Sequence, residues 1–137
     1  MNMKLPVTLT GAVTPGNKIG RRFSMPTANI YPNENISGLA YGVYYSTITI
    51  DGRDYFSITN LGVRPTVSEG NRVNAETFIY DFQGDLYGKT VSVTLLKFRR
   101  GEVKFDSLDE LYQTVEDDFR AGEQFHNADH LSTTPNE

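Results

Sequence analysis

Gly16-Asn17-Lys18-Ile19-Gly20-Arg21 is a basic loop punctuated by glycine, and Pro26-Thr27-Ala28-Asn29 follows it closely. Glycines let a backbone turn tightly and come near a ligand, so that its N–H groups face an anion. Lys18 and Arg21 add local positive charge suited to a small phosphorylated ligand. Pro26 fixes its own φ and biases Met25 towards extended backbone. If Thr27 to Asn29 is extended, residues two apart point the same way. The Thr27 hydroxyl and the Asn29 amide oxygen then stand side by side as hard oxygen ligands for a Mg²⁺ shared with substrate phosphates. Plainer tasks exist for the same residues: the glycines also suit simple turns, and Thr-Ala-Asn also suits a strand end whose side chains bond the backbone. No Gly-Lys-Ser/Thr follows the loop, so the Walker pattern is absent and a nucleotide site of another design is the sharper reading.

If the nucleotide is a phosphoryl donor to a hydroxyl, the site needs a base near the attacking oxygen, a metal on the phosphates and donors for developing charge. Glu76 is the best candidate for the base. In an alternating strand Glu76, Phe78 and Tyr80 share one face while Ala75, Thr77 and Ile79 take the other. A carboxylate beside aromatic rings is partly desolvated, which favours accepting a proton. The bland alternative is an exposed glutamate on an outer wall. Arg100 and Glu102 sit within the apolar stretch Phe98 to Phe105, and read by themselves as an ion pair holding a strand-to-helix connection. Tyr87, after a tight turn, reads by itself as a core aromatic.

Short strands must position these groups. Val7 to Val13, Tyr41 to Ile50, Tyr55 to Thr59, Val73 to Phe82 and Thr90 to Phe98 are rich in β-branched and aromatic residues. Asp51-Gly52 is a two-residue hairpin signal, and Gln83-Gly84-Asp85 offers another turn. Five or six short strands imply an antiparallel barrel or sandwich, since closure removes exposed edges. One helix is expected from Ser107, with Glu110 completing a capping box. Leu108, Leu111, Tyr112, Val115 and Phe119 form an apolar stripe expected to pack on the barrel, and Gly122 is the expected stop. Residues 1–125 read as one domain and 126–137 as a polar, flexible tail, in which His126 and His130 are too few to hold a metal.

The chain has 137 residues, no cysteine and a formal charge of −4. One domain of this size buries a sizeable core, and a reducing cytoplasm is compatible with the lack of thiols. No N-terminal apolar run is long enough for a signal peptide or membrane span. The acidic balance disfavours a broad nucleic-acid surface, and with it a small barrel binding single strands through its aromatics.

The ordered series Gly16, Gly20-Arg21, Pro26-Thr27-Ala28-Asn29, Gly42-Val43-Tyr44, Asn60-Leu61-Gly62-Val63-Arg64-Pro65-Thr66, Glu76, Asp81-Phe82, Gly84-Asp85-Leu86-Tyr87-Gly88-Lys89 and Arg100-Gly101-Glu102 closely resembles the riboflavin kinase (flavokinase) family. The resemblance covers about Leu9 to Phe119 and includes the kinase domain of bacterial FAD synthetases. It implies a six-stranded antiparallel Greek-key barrel with a C-terminal α-helix, and transfer of the ATP γ-phosphate to the ribityl 5′-hydroxyl of riboflavin. It makes Glu76 the base, and Thr27 and Asn29 the Mg²⁺ ligands. Arg21, with Lys18 as a weaker competitor, meets phosphate beside Gly16 and Gly20. Asp81 and Tyr87 line the adenine pocket, and Arg100, Val103 and Phe105 belong to a flap over the flavin. Asn60, Arg64, Pro65 and Thr66 match the family without an assignable chemical role. No adenylyltransferase motif is present, so the chain is expected to be a monomer or one domain of a longer bifunctional chain. A flavin-binding regulator without turnover is the remaining rival, disfavoured by Thr27, Asn29 and Glu76.

Overall fold

Alternating β-branched and aromatic residues form six strands: β1 Val7–Ala12, β2 Thr27–Ile30, β3 Gly42–Ile50, β4 Arg53–Thr66, β5 Gly70–Ile79 and β6 Thr90–Gly101. Among the described residues one helix, α1, follows at Leu108–Thr133. The computed structural model describes residues 4–15, 24–66 and 70–133. Two units divide the chain, residues 1–102 with the strands and 103–137 with the helix.

The sheet order is β1-β6-β3-β4-β5-β2, with every neighbouring pair antiparallel. After the β3-β4-β5 meander, β6 returns to lie beside β3, which is a Greek key. The outer strands meet at a bridge between Thr14 and Asn29, where the Thr14 N–H donates to the Asn29 carbonyl at 2.8 Å. The expected barrel topology is thus present. Asp51 and Gly52 turn the β3–β4 hairpin with φ of 51° and 79°, the two positive values a type I′ turn requires.

Three expected boundaries need correction. β4 runs on through Asn60-Leu61-Gly62-Val63-Arg64-Pro65-Thr66, paired with β5 as far as Thr66 opposite Gly70. β5 ends at Ile79, so Tyr80 and Asp81 belong to the turn that follows, with Asp81 at φ 57°. β6 continues past Phe98 to Gly101, and its register against β3 shifts twice. Gly42 (φ 144°) lies beside that irregularity, where a Cβ would collide with the Arg100 carbonyl.

The interior is apolar with one polar exception. Leu9, Ile30, Ile48, Leu61, Ile79, Val93 and Leu95 are fully buried in it. Among them Ser57 bonds Ser46 at 2.7 Å, Ser46 bonds Thr59 at 2.8 Å, and Thr59 bonds Thr77 at 2.8 Å. Buried hydroxyls without partners would be costly, and this ladder supplies them from three adjacent strands.

Ser107 caps α1, accepting from the Glu110 N–H at 3.2 Å. The reciprocal arm reaches one residue further back than expected, with the Asp106 N–H donating to Glu110 Oε1 at 3.1 Å. Gly122 does not end the helix. Its interior position costs about 1 kcal/mol relative to alanine, too little to stop it alone. Phe119, Gly122 and His126 are all buried at helical spacing, so Gly122 lies within the stripe. Residues 126–133 are therefore helical, and His126, expected in a solvated tail, is buried with its ring 5.2 Å from that of Phe125. No helix among the described residues is long and apolar enough to cross a membrane.

Candidate active site on the outer face of the sheet

Strand register decides which side chains share a surface. Asn29 of β2 lies opposite Glu76 of β5, and Glu76 lies opposite Asn60 of β4. Asn60 pairs with Val43 of β3, which pairs with Arg100 of β6. Directly paired residues face the same side, so Asn29, Glu76, Asn60 and Arg100 form one row. The core residues Ala28, Ala75, Thr77, Leu61 and Thr59 alternate with that row, which places it on the outside. Thr27, two residues before Asn29, shares this face. Three strand spacings, about 14 Å along the sheet, separate Glu76 from Arg100.

Glu76 is only 5 % exposed although it faces outward, which removes the reading of an exposed wall glutamate. Its Oε2 takes no hydrogen bond from the described residues, while the side chain is engaged in other contacts. Asn29 is 1 % exposed and tightly held. Its Nδ2 donates to Thr14 Oγ1 and to the Pro15 carbonyl, each at 3.2 Å. Its Oδ1 accepts from Asn74 Nδ2 at 2.7 Å. The side chain thus bonds backbone, as the plainer reading required, yet an amide oxygen has two lone pairs and Asn74 takes one.

The remaining Asn29 lone pair and the Thr27 hydroxyl are hard oxygen donors, a chemistry that would suit Mg²⁺. The described residues hold no group of three or more His, Cys, Asp or Glu side chains able to bind a metal. Such an ion would complete its shell with water and substrate phosphates, the usual habit of Mg²⁺.

A cleft of about 660 Å³ opens beside Pro26, between Ser24–Pro26 and Ile79–Gln83. The Ile79 N–H donates to the Pro26 carbonyl at 3.0 Å and ties these two lining segments together. Ser24 (φ 58°) and Asp81 (φ 57°) both line it in a conformation that side chains rarely adopt. Such strain gathers at ligand sites. Asp81, expected at the nucleotide pocket, lines this cleft. Tyr87 is 63 % exposed, so it is not a core aromatic, and it is not among the residues lining this cleft.

Arg100 Nη1 donates to the Gly101 carbonyl at 3.0 Å, and the Glu102 carboxylate lies over Gly62, where a Cβ would stand 2.8 Å from Oε2. Val103 is exposed and Phe105 half-buried in the second unit. Gly16, Lys18, Gly20 and Arg21 lie outside the described residues. Reading the sequence missed Asn74, although it stands two residues before Glu76 and shares its face by the same alternation.

Residues 3–126 match the family model described as Flavokinase: Riboflavin kinase. The chain belongs to the riboflavin kinase family. It is 34 % identical over 110 residues to the "RNA-binding riboflavin kinase RibR" of Bacillus subtilis, covering 80 % of this chain and 47 % of that protein. It is 36 % identical over 122 residues to the "Bifunctional riboflavin kinase/FMN adenylyltransferase" of Escherichia coli K12, covering 88 % and 38 %. A crystal structure described as a macrolide-efflux protein from Streptococcus pneumoniae superposes with a TM-score of 0.73 at 32 % identity, over 86 % of this chain and 38 % of that one. The chain thus spans less than half the length of these relatives.

Proposed function

We propose that this chain is an ATP-dependent riboflavin kinase domain that converts riboflavin to FMN with release of ADP. The observation that carries the reading is the pairing of Asn29 with Glu76 on one outer face, both buried, with Thr27 beside them. Glu76 takes the proton of the ribityl 5′-hydroxyl as its oxygen attacks the γ-phosphorus. Thr27 and Asn29 hold Mg²⁺, which neutralises charge on the ATP phosphates when bound. Lys18 and Arg21, with backbone at Gly16 and Gly20, meet those phosphates. Adenine occupies the cleft at Pro26 and Asp81, with Tyr87 as an outer wall. Arg100, Val103 and Phe105 cover the flavin, and the span between Glu76 and Arg100 leaves room for the ribityl chain.

The kinase domain is assigned to residues 1–125, with 126–137 as a C-terminal extension. It acts in the cytoplasm as a monomer or as one domain of a longer bifunctional chain, on small-molecule substrates and without nucleic acid. Incubation with riboflavin, ATP and Mg²⁺ should yield FMN by chromatography. Tight flavin binding with no FMN would replace this reading by a regulatory module.

A further inference from the structure

We infer that Asn74 is a positioning residue that sets the amide of Asn29, and through it the metal-side oxygen of the site; this rests on the kinase reading above. Asn74 Nδ2 donates to Asn29 Oδ1 at 2.7 Å and to the Ile30 carbonyl at 3.1 Å. The Ile30 bond ties the donor to β2 itself, so it cannot drift from its acceptor. On the far side, both Asn29 amide hydrogens are used, one on Thr14 Oγ1 and one on the Pro15 carbonyl. The Thr14 hydroxyl can accept there because its own proton goes to the Asn29 carbonyl at 3.2 Å. Every polar atom of the Asn29 side chain is therefore assigned a partner of the right sign. A reversed amide would place oxygen against the Pro15 carbonyl and nitrogen against the Asn74 donor, two mismatches at a residue only 1 % exposed. Asn74 thus keeps the carbonyl end of Asn29 on the side of the strand that carries Glu76. It also couples β5 to the Thr14–Asn29 seam that joins β1 to β2.

A double-mutant cycle tests this. Mg²⁺ with ADP is titrated by calorimetry, and riboflavin by fluorescence quenching, into wild type, Asn74→Ala, Asn29→Ala and the double variant. Asn74→Ala should weaken Mg²⁺-ADP about three- to tenfold, the weight of one hydrogen bond, and leave riboflavin affinity unchanged. In the Asn29→Ala background it should cost nothing further. Exchange of the Thr14 amide hydrogen, which reports the seam without any ligand, should quicken in Asn74→Ala. Asn74→Leu, branched at the same atom and lacking the donor, repeats the cycle if the alanine variant does not fold. Unchanged Mg²⁺-ADP affinity in a folded variant, or an undiminished loss in the Asn29→Ala background, overturns the role of Asn74 alone. A wild-type protein that binds neither ligand overturns the kinase reading instead.

Discussion

The two faces of one sheet treat polar side chains in opposite ways. On the inner face, Ser46, Ser57, Thr59 and Thr77 are fully buried and bond one another. On the outer face, Glu76 and Asn60 stand one residue away from Thr77 and Thr59 along the same strands, and Asn29 pairs with Glu76. Inner hydroxyls are neutral and satisfied from within, so they hold strands together and have nothing left for a ligand. The outer row contains an ionisable group and amide oxygens with spare lone pairs, and it can do chemistry. A strand's two-residue period thus separates scaffold from site at a distance of a single peptide unit.

The largest effect should come from the outer face. Glu76→Gln keeps size and polarity but removes the proton acceptor. Turnover should fall by roughly 10² to 10⁴, about 3–5 kcal/mol of barrier, with riboflavin binding retained. Near wild-type turnover in the Gln variant would end the contrast between the faces.

Thr59→Val breaks the inner ladder at its centre, since Thr59 bonds both Ser46 and Thr77. Leaving buried hydroxyls without partners costs about 1–3 kcal/mol of stability, readable as a lower urea midpoint. The rate per folded molecule should not change. A slower folded enzyme would show that the inner face takes part in function.

Thr27→Ala removes the same functional group from the other face. It should shift the Mg²⁺ concentration for half-maximal rate upward by about tenfold, with little change in the urea midpoint. Combined with Asn29→Ala the effect should be less than multiplicative, because both act on one ion. An unmoved metal dependence would remove Thr27 from the ligand set.

Much of this contrast was legible in the sequence, because alternation is a local signal. Ala75, Thr77 and Ile79 fall on one side and Glu76 and Phe78 on the other without any structure. Asp51-Gly52 and the Ser107 cap are equally local. What escaped is non-local. Gly62 and Pro65 look like loop residues, yet pairing with β5 keeps Asn60 to Thr66 in strand. Gly122 looks like a stop, yet burial of its stripe outweighs its propensity. Asn74 meets Asn29 across a separation of 45 residues, which no local pattern encodes. The roles of Glu76, Thr27 and Asn29 rested on resemblance, since spacing alone left their plainer readings open.

A second carboxylate, at the sheet edge, gives the smallest effect and the sharpest control on Glu76. Glu34 Oε1 accepts from the Thr10 N–H at 2.7 Å and Oε2 from the Thr10 hydroxyl at 2.5 Å. Slight burial pushes its carboxyl up, but the hydroxyl and N–H bonds from Thr10 outweigh it and hold the group below the usual carboxylate range. A lowered folded-state pKa means that the ionised form stabilises the fold. That contribution is present above the unfolded value, near about 4.3, and is lost as pH falls through the still lower folded value. Glu34→Gln should therefore be slightly less stable than wild type at neutral pH, with the gap in urea midpoint closing as pH falls below the usual carboxylate range. Activity per folded molecule should be unchanged at neutral pH, unlike Glu76→Gln. A gap that stays constant with pH would mean that the charge on Glu34 does nothing for β1, and that its hydrogen bonds matter only as neutral contacts.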